Sequence, residues 1–192
     1  MLYGLGSHSI DQALLLFGRP TSVTGFYRAL RGVESKTDDT FTVILQYSGE
    51  KKNLFVTVKT TVVTPMQFSL KYLVRGYEGA FIKFGDDRQE SQILSGLTTK
   101  SPGFGLEPTA THGVLTTKEK FHDAQTFDEA SKKWVGNFPS FKGEYEKYYI
   151  DLVSAIRGEG ELAVKPEQSR DGIRIIELAR ESADKGVTLP FN

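Results

Sequence analysis

The residues best equipped for chemistry lie near the start of the chain, in Gly6-Ser7-His8-Ser9-Ile10-Asp11-Gln12. In a helix that begins at or before His8, the positions of His8, Asp11 and Gln12 are i, i+3 and i+4 and share a face. An imidazole that titrates near neutral pH then lies beside a carboxylate. Such a pair can take up and release a substrate proton. The same letters also allow a purely local reading, in which Ser9 caps the helix, Gln12 closes a capping box and His8 is the polar residue ahead of it. The two readings are compatible.

Elsewhere the chemistry thins out. His112 and His122 have no carboxylate at ligand spacing and the chain contains no cysteine, so neither a metal site nor a thiol nucleophile is expected. Asp38-Asp39 and Asp86-Asp87 read as turn residues, with weak cation coordination as the alternative. Trp134, Phe138 and Phe141 suit either stacking on a sugar or covering the core. Lys83 points away from its neighbour Ile82 in a strand-like run, which puts it on a polar sheet face as an interface contact, a substrate contact or a solvated lysine. Gly103-Phe104-Gly105 follows no apolar strand and lacks a third glycine at the required spacing, which excludes it as a dinucleotide loop.

The elements that must position these residues follow from periodicity. Ile10, Ala13, Leu14 and Phe17 recur at helical spacing and stop at Gly18-Arg19-Pro20, which predicts a helix over about 8–17. A period of two then takes over. Phe41, Val43, Leu45 and Tyr47 alternate with polar neighbours, Gly49 to Asn53 forms a turn, and Val56, Val58 and Val62 return. Phe68, Leu70, Tyr72 and Val74 alternate next. With Val23 to Leu30 before and Ala80 to Phe84 after, at least five strands are expected, joined by links short enough to favour antiparallel neighbours. One sheet face should be apolar, and the Thr-, Lys-, Ser- and Gln-rich face should be wet or paired with another subunit. Two late helices, a stripe from Tyr145 to Ile156 and another from Ile173 to Ala183, should cover the apolar face. Residues 96–140 show no sustained period apart from a short apolar run at Gly113 to Thr116 and a helical turn near Asp128 to Lys133.

Composition narrows the function classes. The 192 residues fit one domain, and 24 basic against 24 acidic residues leave no charge excess to attract nucleic acid or an anionic membrane. The start carries no basic stretch followed by a long apolar run, and the longest apolar run, Ala13 to Phe17, is far short of the roughly 20 residues of a membrane span. A cytoplasmic protein is expected.

The segment from Gly6 to Leu14, with Leu16-Phe17-Gly18-Arg19-Pro20 and Val23 behind it, closely resembles the helix that opens the C-terminal domain of Gfo/Idh/MocA oxidoreductases. Gly79-Ala80-Phe81-Ile82-Lys83, followed by Asp87, Gln89 and Glu90, resembles a sugar-dehydrogenase-like branch of the same family, and the two late helices fall where the family has its last two. The resemblance spans nearly all of the chain. It implies an α+β fold: a largely antiparallel open sheet with helices packed on one face, of the dihydrodipicolinate-reductase-like C-terminal type, often pairing with another subunit through the open face. It also implies oxidation of a sugar or polyol hydroxyl, or the reverse, with NAD(P) held by a separate N-terminal Rossmann domain. The family histidine falls on His8, as proton acceptor or donor for the reacting hydroxyl, with Asp11 beside it as a substrate-contacting carboxylate and Lys83 as a further substrate contact.

Two departures limit that expectation. The family carries an aspartate four residues before its histidine, and here that position is Gly4; the Glu-Lys-Pro lysine of the first domain has no counterpart either. No cofactor is therefore expected on this chain by itself, and independent catalysis is not expected. The sequence is consistent with a truncated piece or with a natural product lacking the enzyme half. The competing reading is a non-catalytic module that keeps the pairing sheet, or a remnant of such an enzyme.

Overall fold

A computed structural model describes residues 2–35 and 37–192. In chain order its elements are α1 (Ser7–Phe17), β1 (Ser22–Arg28), β2 (Thr40–Gln46), β3 (Phe55–Thr61), β4 (Leu70–Arg75), β5 (Gly79–Phe84) and α2 (Arg88–Leu94). There follow β6 (Gly113–Thr117), β7 (Gln125–Asp128), β8 (Lys133–Phe138), α3 (Tyr145–Ile156), α4 (Pro166–Lys185) and β9 (Leu189–Pro190). The fold is α+β, as expected, and the strand pairs are antiparallel. The strands divide between two sheets rather than forming one, and the chain divides into two compact units, Met1–Pro65 with Val164–Asn192, and Met66–Ala163.

The first unit holds a four-stranded sheet in the order β3-β2-β1-β9. Phe41, Val43, Leu45 and Tyr47 are buried, so the alternation in β2 does set an apolar face. That face packs against Ile10 and Ala13 of α1 and against Ile175, Ile176, Leu178 and Ala179 of α4. The buried stripe of α4 passes through Ile175 and Ile176, whereas Ile173, expected in it, is exposed. Helix α4 begins on Pro166, whose missing N–H costs nothing at that position, and ends at Gly186, whose φ of 67° is a left-handed stop. It lies so close to β1 that a side-chain carbon at Gly25 would stand 2.0 Å from the Ala179 carbonyl oxygen.

The second unit holds a five-stranded sheet in the order β4-β5-β6-β8-β7. Three of its strands lie in the stretch that shows no sustained period. The expected helical turn near Asp128 to Lys133 is instead the tip of the β7–β8 hairpin, where the Asp128 carboxylate accepts the Ser131 N–H at 2.8 Å and Lys132 takes a φ of 56°. A turn held by Asp and followed by a left-handed residue shares the local letters of a helix end. Helix α3 was expected to cover the same apolar face as α4. It belongs to this second unit, and none of its residues is buried.

Candidate functional site

His8 stands in the first turn of α1, and that helix does not begin with a cap at Ser9. Leu2–Gly6 form a π-helical turn that runs straight into Ser7, where the backbone is already helical at Gly6. Two contacts hold this turn. The Leu2 side chain is fully buried, and Gly6 is pressed so tightly that a β-carbon there would lie 2.3 Å from Leu2 Cδ1 and 3.0 Å from the Phe41 ring. The Ser7 hydroxyl donates to the Gly4 carbonyl at 2.6 Å. Because the helix starts ahead of His8, the condition for a shared face is met, and His8 and Asp11 are both exposed, on the side away from buried Ile10 and Ala13. Leu5, Leu15 and Leu16 on the same short segment are exposed as well.

Beside the π-turn, on its outer side, lies a polar cluster that the sequence does not reveal. Arg180 of α4 pairs with Asp38 at 2.8 Å and sets its guanidinium over the rings of Tyr27, at 5.0 Å, and Tyr3, at 5.8 Å. Burial pushes the Tyr27 hydroxyl well above the usual phenol range, against the opposing pull of Arg180. Asp39, expected as a simple turn residue, is buried. Its carboxylate accepts the N–H groups of Leu30 and Arg31, the Arg31 Nε–H and the Thr40 hydroxyl, and these bonds, the Leu30 N–H first, hold it below the usual carboxylate range.

Lys83 is not solvated. It is 8% exposed in β5 and its ammonium donates to Glu107 at 2.5 Å, to the Thr111 carbonyl at 2.9 Å and to the Ser140 hydroxyl at 3.2 Å. Three donors meet three acceptors, so the group ties the strand to two loops. Burial by itself would raise the Glu107 carboxyl, but hydrogen bonds from Lys83 and Ser140 and the Lys83 charge bring it below its usual range. Lys83 belongs to the second unit, whereas His8 and Asp11 belong to the first.

The other candidates are accounted for locally. Gly103 and Gly105 have φ values of 77° and 75°, but the Gly105 N–H is donated to Gln92 at 2.8 Å and Phe104 is buried, so this loop packs inward rather than cradling phosphate. Among the described residues no group of His, Cys, Asp and Glu is arranged to hold a metal ion. His122 accepts the Ala124 N–H and leans on the Phe138 ring. Phe141 is almost wholly exposed. Asp87, expected as a turn residue, caps α2 by accepting the Gln89 N–H at 2.9 Å, and its spacing to Glu90 is the capping signal of a helix that periodicity passes over. No described helix is long and apolar enough to cross a membrane.

A family pattern described as "Oxidoreductase family, C-terminal alpha/beta domain" matches residues 1–191. An uncharacterized oxidoreductase of Schizosaccharomyces pombe is 33% identical over 98% of this chain and 51% of its own length. The scyllo-inositol 2-dehydrogenase (NADP(+)) of Bacillus subtilis is 33% identical over 98% of this chain and 48% of its own. Among solved structures, the oxidoreductase YvaA of Bacillus subtilis superposes with a TM-score of 0.86 at 33% identity, covering 100% of this chain and 51% of that one. The chain thus spans about half the length of the relatives it matches. It belongs to the Gfo/Idh/MocA oxidoreductase family, as the C-terminal α/β domain.

Proposed function

We propose that this chain is the substrate-side and subunit-pairing domain of an NAD(P)-dependent oxidoreductase acting on a sugar or polyol, with His8 as its proton-transfer group. The observation that carries the reading is the placement of His8 and Asp11 on one exposed face of α1. An imidazole held on a helix can accept the proton of a reacting hydroxyl as the carbonyl forms, or return it in the reverse direction. Asp11, one turn on, is placed to accept hydrogen bonds from neighbouring hydroxyls. The exposed Leu5, Leu15 and Leu16 supply apolar surface on the same segment, which suits a face closed by another domain. The substrate class is argued from the inositol-dehydrogenase relative.

The glycine pair at 103 and 105 does not suit a dinucleotide loop, because Gly105 is buried against Gly143 and its N–H is donated to Gln92. Cofactor binding is therefore assigned to a separate Rossmann domain. Lys83 has its three donors engaged, which favours a role in holding loops over the direct substrate contact expected from the sequence. Pairing of two copies through open sheet surface is supported by exposed Leu70, Leu73, Val74, Phe84 and Phe127. The two compact units act as one domain in this reading, since one family pattern spans both.

A second reading, a pairing module without chemistry, is favoured by Gly4, which offers no carboxylate beside His8. The test joins the chain to the nucleotide-binding half of the Bacillus subtilis inositol dehydrogenase and follows NADP reduction with inositols. The expected loss in His8→Asn is at least about 100-fold. Equal rates with and without His8 would overturn its role, and a dimer inactive in both forms would favour the second reading.

A further inference from the structure

The π-turn that carries Gly4 and feeds His8 into α1 is held from below by Leu2 and Gly6, both buried. Its outer side is different: Tyr3 is 53% exposed and has the Arg180 guanidinium over its ring at 5.8 Å. The same guanidinium lies over Tyr27 of β1 at 5.0 Å and pairs with Asp38 at 2.8 Å. One planar cation thus joins four pieces of chain: the π-turn, β1, the loop between β1 and β2, and α4. That loop is itself fixed, because buried Asp39 gathers the backbone N–H groups of Leu30 and Arg31. We propose that Arg180 is a positioning residue, which through Tyr3 holds the π-turn and so sets where His8 stands.

Arginine suits this post better than lysine. Its flat guanidinium can lie against two aromatic faces while its edge meets a carboxylate, whereas an ammonium is a point charge without a face. A π-helical turn needs such support, since its hydrogen-bond geometry is rare and is kept only where the surroundings determine it. The inference rests on the proposed role of His8 only for its catalytic consequence. The conformational coupling can be read in the chain alone.

The experiment is amide hydrogen exchange, with the ring resonances of His8 followed by NMR, in the 192-residue chain and its variants. Arg180→Ala and Tyr3→Ala are expected to speed exchange at residues 3–8 about three- to fivefold, the loss of one partly exposed cation–π contact, and to move the His8 ring signals. Exchange in β6 and β8, which belong to the second unit, should not change. Tyr3→Phe keeps the ring face and should behave as the parent chain, while Arg180→Lys, which keeps the charge and loses the face, should resemble Arg180→Ala. Unchanged exchange at residues 3–8 in Arg180→Ala, or Arg180→Lys indistinguishable from the parent chain, would overturn the proposal by leaving an ordinary ion pair with Asp38. If the exchange result holds and His8→Asn proves active, the positioning stands and the catalytic reading of His8 falls.

Discussion

The Lys83 ammonium and the Glu107 carboxylate meet at 2.5 Å where their side chains are only 10% and 12% exposed. Breaking such a pair from one side leaves the other charge in a poor solvent. Lys83→Met is therefore expected to cost about 3 kcal/mol, measured by urea unfolding at neutral pH. The pH dependence has a definite sign. Glu107 is held below its ordinary value of 4.5, so its contribution is full above that value and is lost as pH falls through the lowered folded value. Glu107→Gln should flatten this acid limb. An acid limb of unchanged steepness in Glu107→Gln would show that the pair does not govern it.

The close approach of α4 to β1 makes a second pair of substitutions informative. A β-carbon at Gly25 would meet the Ala179 carbonyl oxygen at 2.0 Å and its α-carbon at 2.9 Å, and backbone on both sides has little room to yield. Gly25→Ala should destabilise the chain by about 3 kcal/mol. Ser182 serves the same seam. Its buried hydroxyl accepts the Gly25 N–H at 3.0 Å and donates to the Val187 carbonyl at 2.5 Å, so Ser182→Ala should cost about 2 kcal/mol by leaving those groups unmatched. Thermal unfolding of both variants reads this, and a parent-like midpoint for Gly25→Ala would show that the seam is looser than described.

What the sequence discloses divides along the same line as the fold. In the first unit, one-sided alternation in β2 and helical spacing in α1 mark Phe41, Val43, Leu45 and Ile10, and these are buried. In the second unit the buried positions include Gln89, Gln125 and Lys83, polar letters whose partners are remote or backbone atoms, and hydropathy carries no trace of them. Strand β8 hides, and β6 shows only as the short apolar run at Gly113 to Thr116, for a related reason. Gly113 faces the Phe81 ring and Gly136 faces the Ala124 carbonyl, so the positions that pack most tightly have no side chain to signal it. The His8–Asp11 face is legible from spacing alone. The helix continuing back through Gly4 and Gly6 is not, because glycines argue against helix and the contacts that hold the turn, buried Leu2 and the Ser7 hydroxyl among them, leave no trace in the spacing.

Asp39 offers a third measurement. Its carboxylate faces four donors from Leu30, Arg31 and Thr40, and the Leu30 N–H above all keeps it ionised below the usual carboxylate range. Asp39→Asn replaces one acceptor oxygen by an NH2 group that confronts those donors. Exchange at Leu30 and Arg31 should rise. The parent chain should keep this loop closed above the ordinary Asp value of 3.8 and release it as pH falls through the lowered folded value, a transition absent from the variant. Equal exchange in both chains across the acid range would count against the assignment.

Gly4 decides between the two functional readings, and the structure makes the substitution feasible. Nothing lies within 4 Å of a β-carbon built there, and the residue is exposed in a helical turn, so a side chain enters open space. A carboxylate near the start of a helix is also favourable by about 0.5 kcal/mol through the helix dipole, so Gly4→Asp should fold at least as well as the parent chain. It restores an acid four residues before His8, one turn away, where it can fix the imidazole and favour its protonated form. In the two-domain assay Gly4→Asp is expected to raise the rate at least about tenfold, and Gly4→Asn, with the shape but not the charge, to raise it far less. Equal rates for Gly, Asn and Asp at this position would mean that the glycine is not what limits the chemistry.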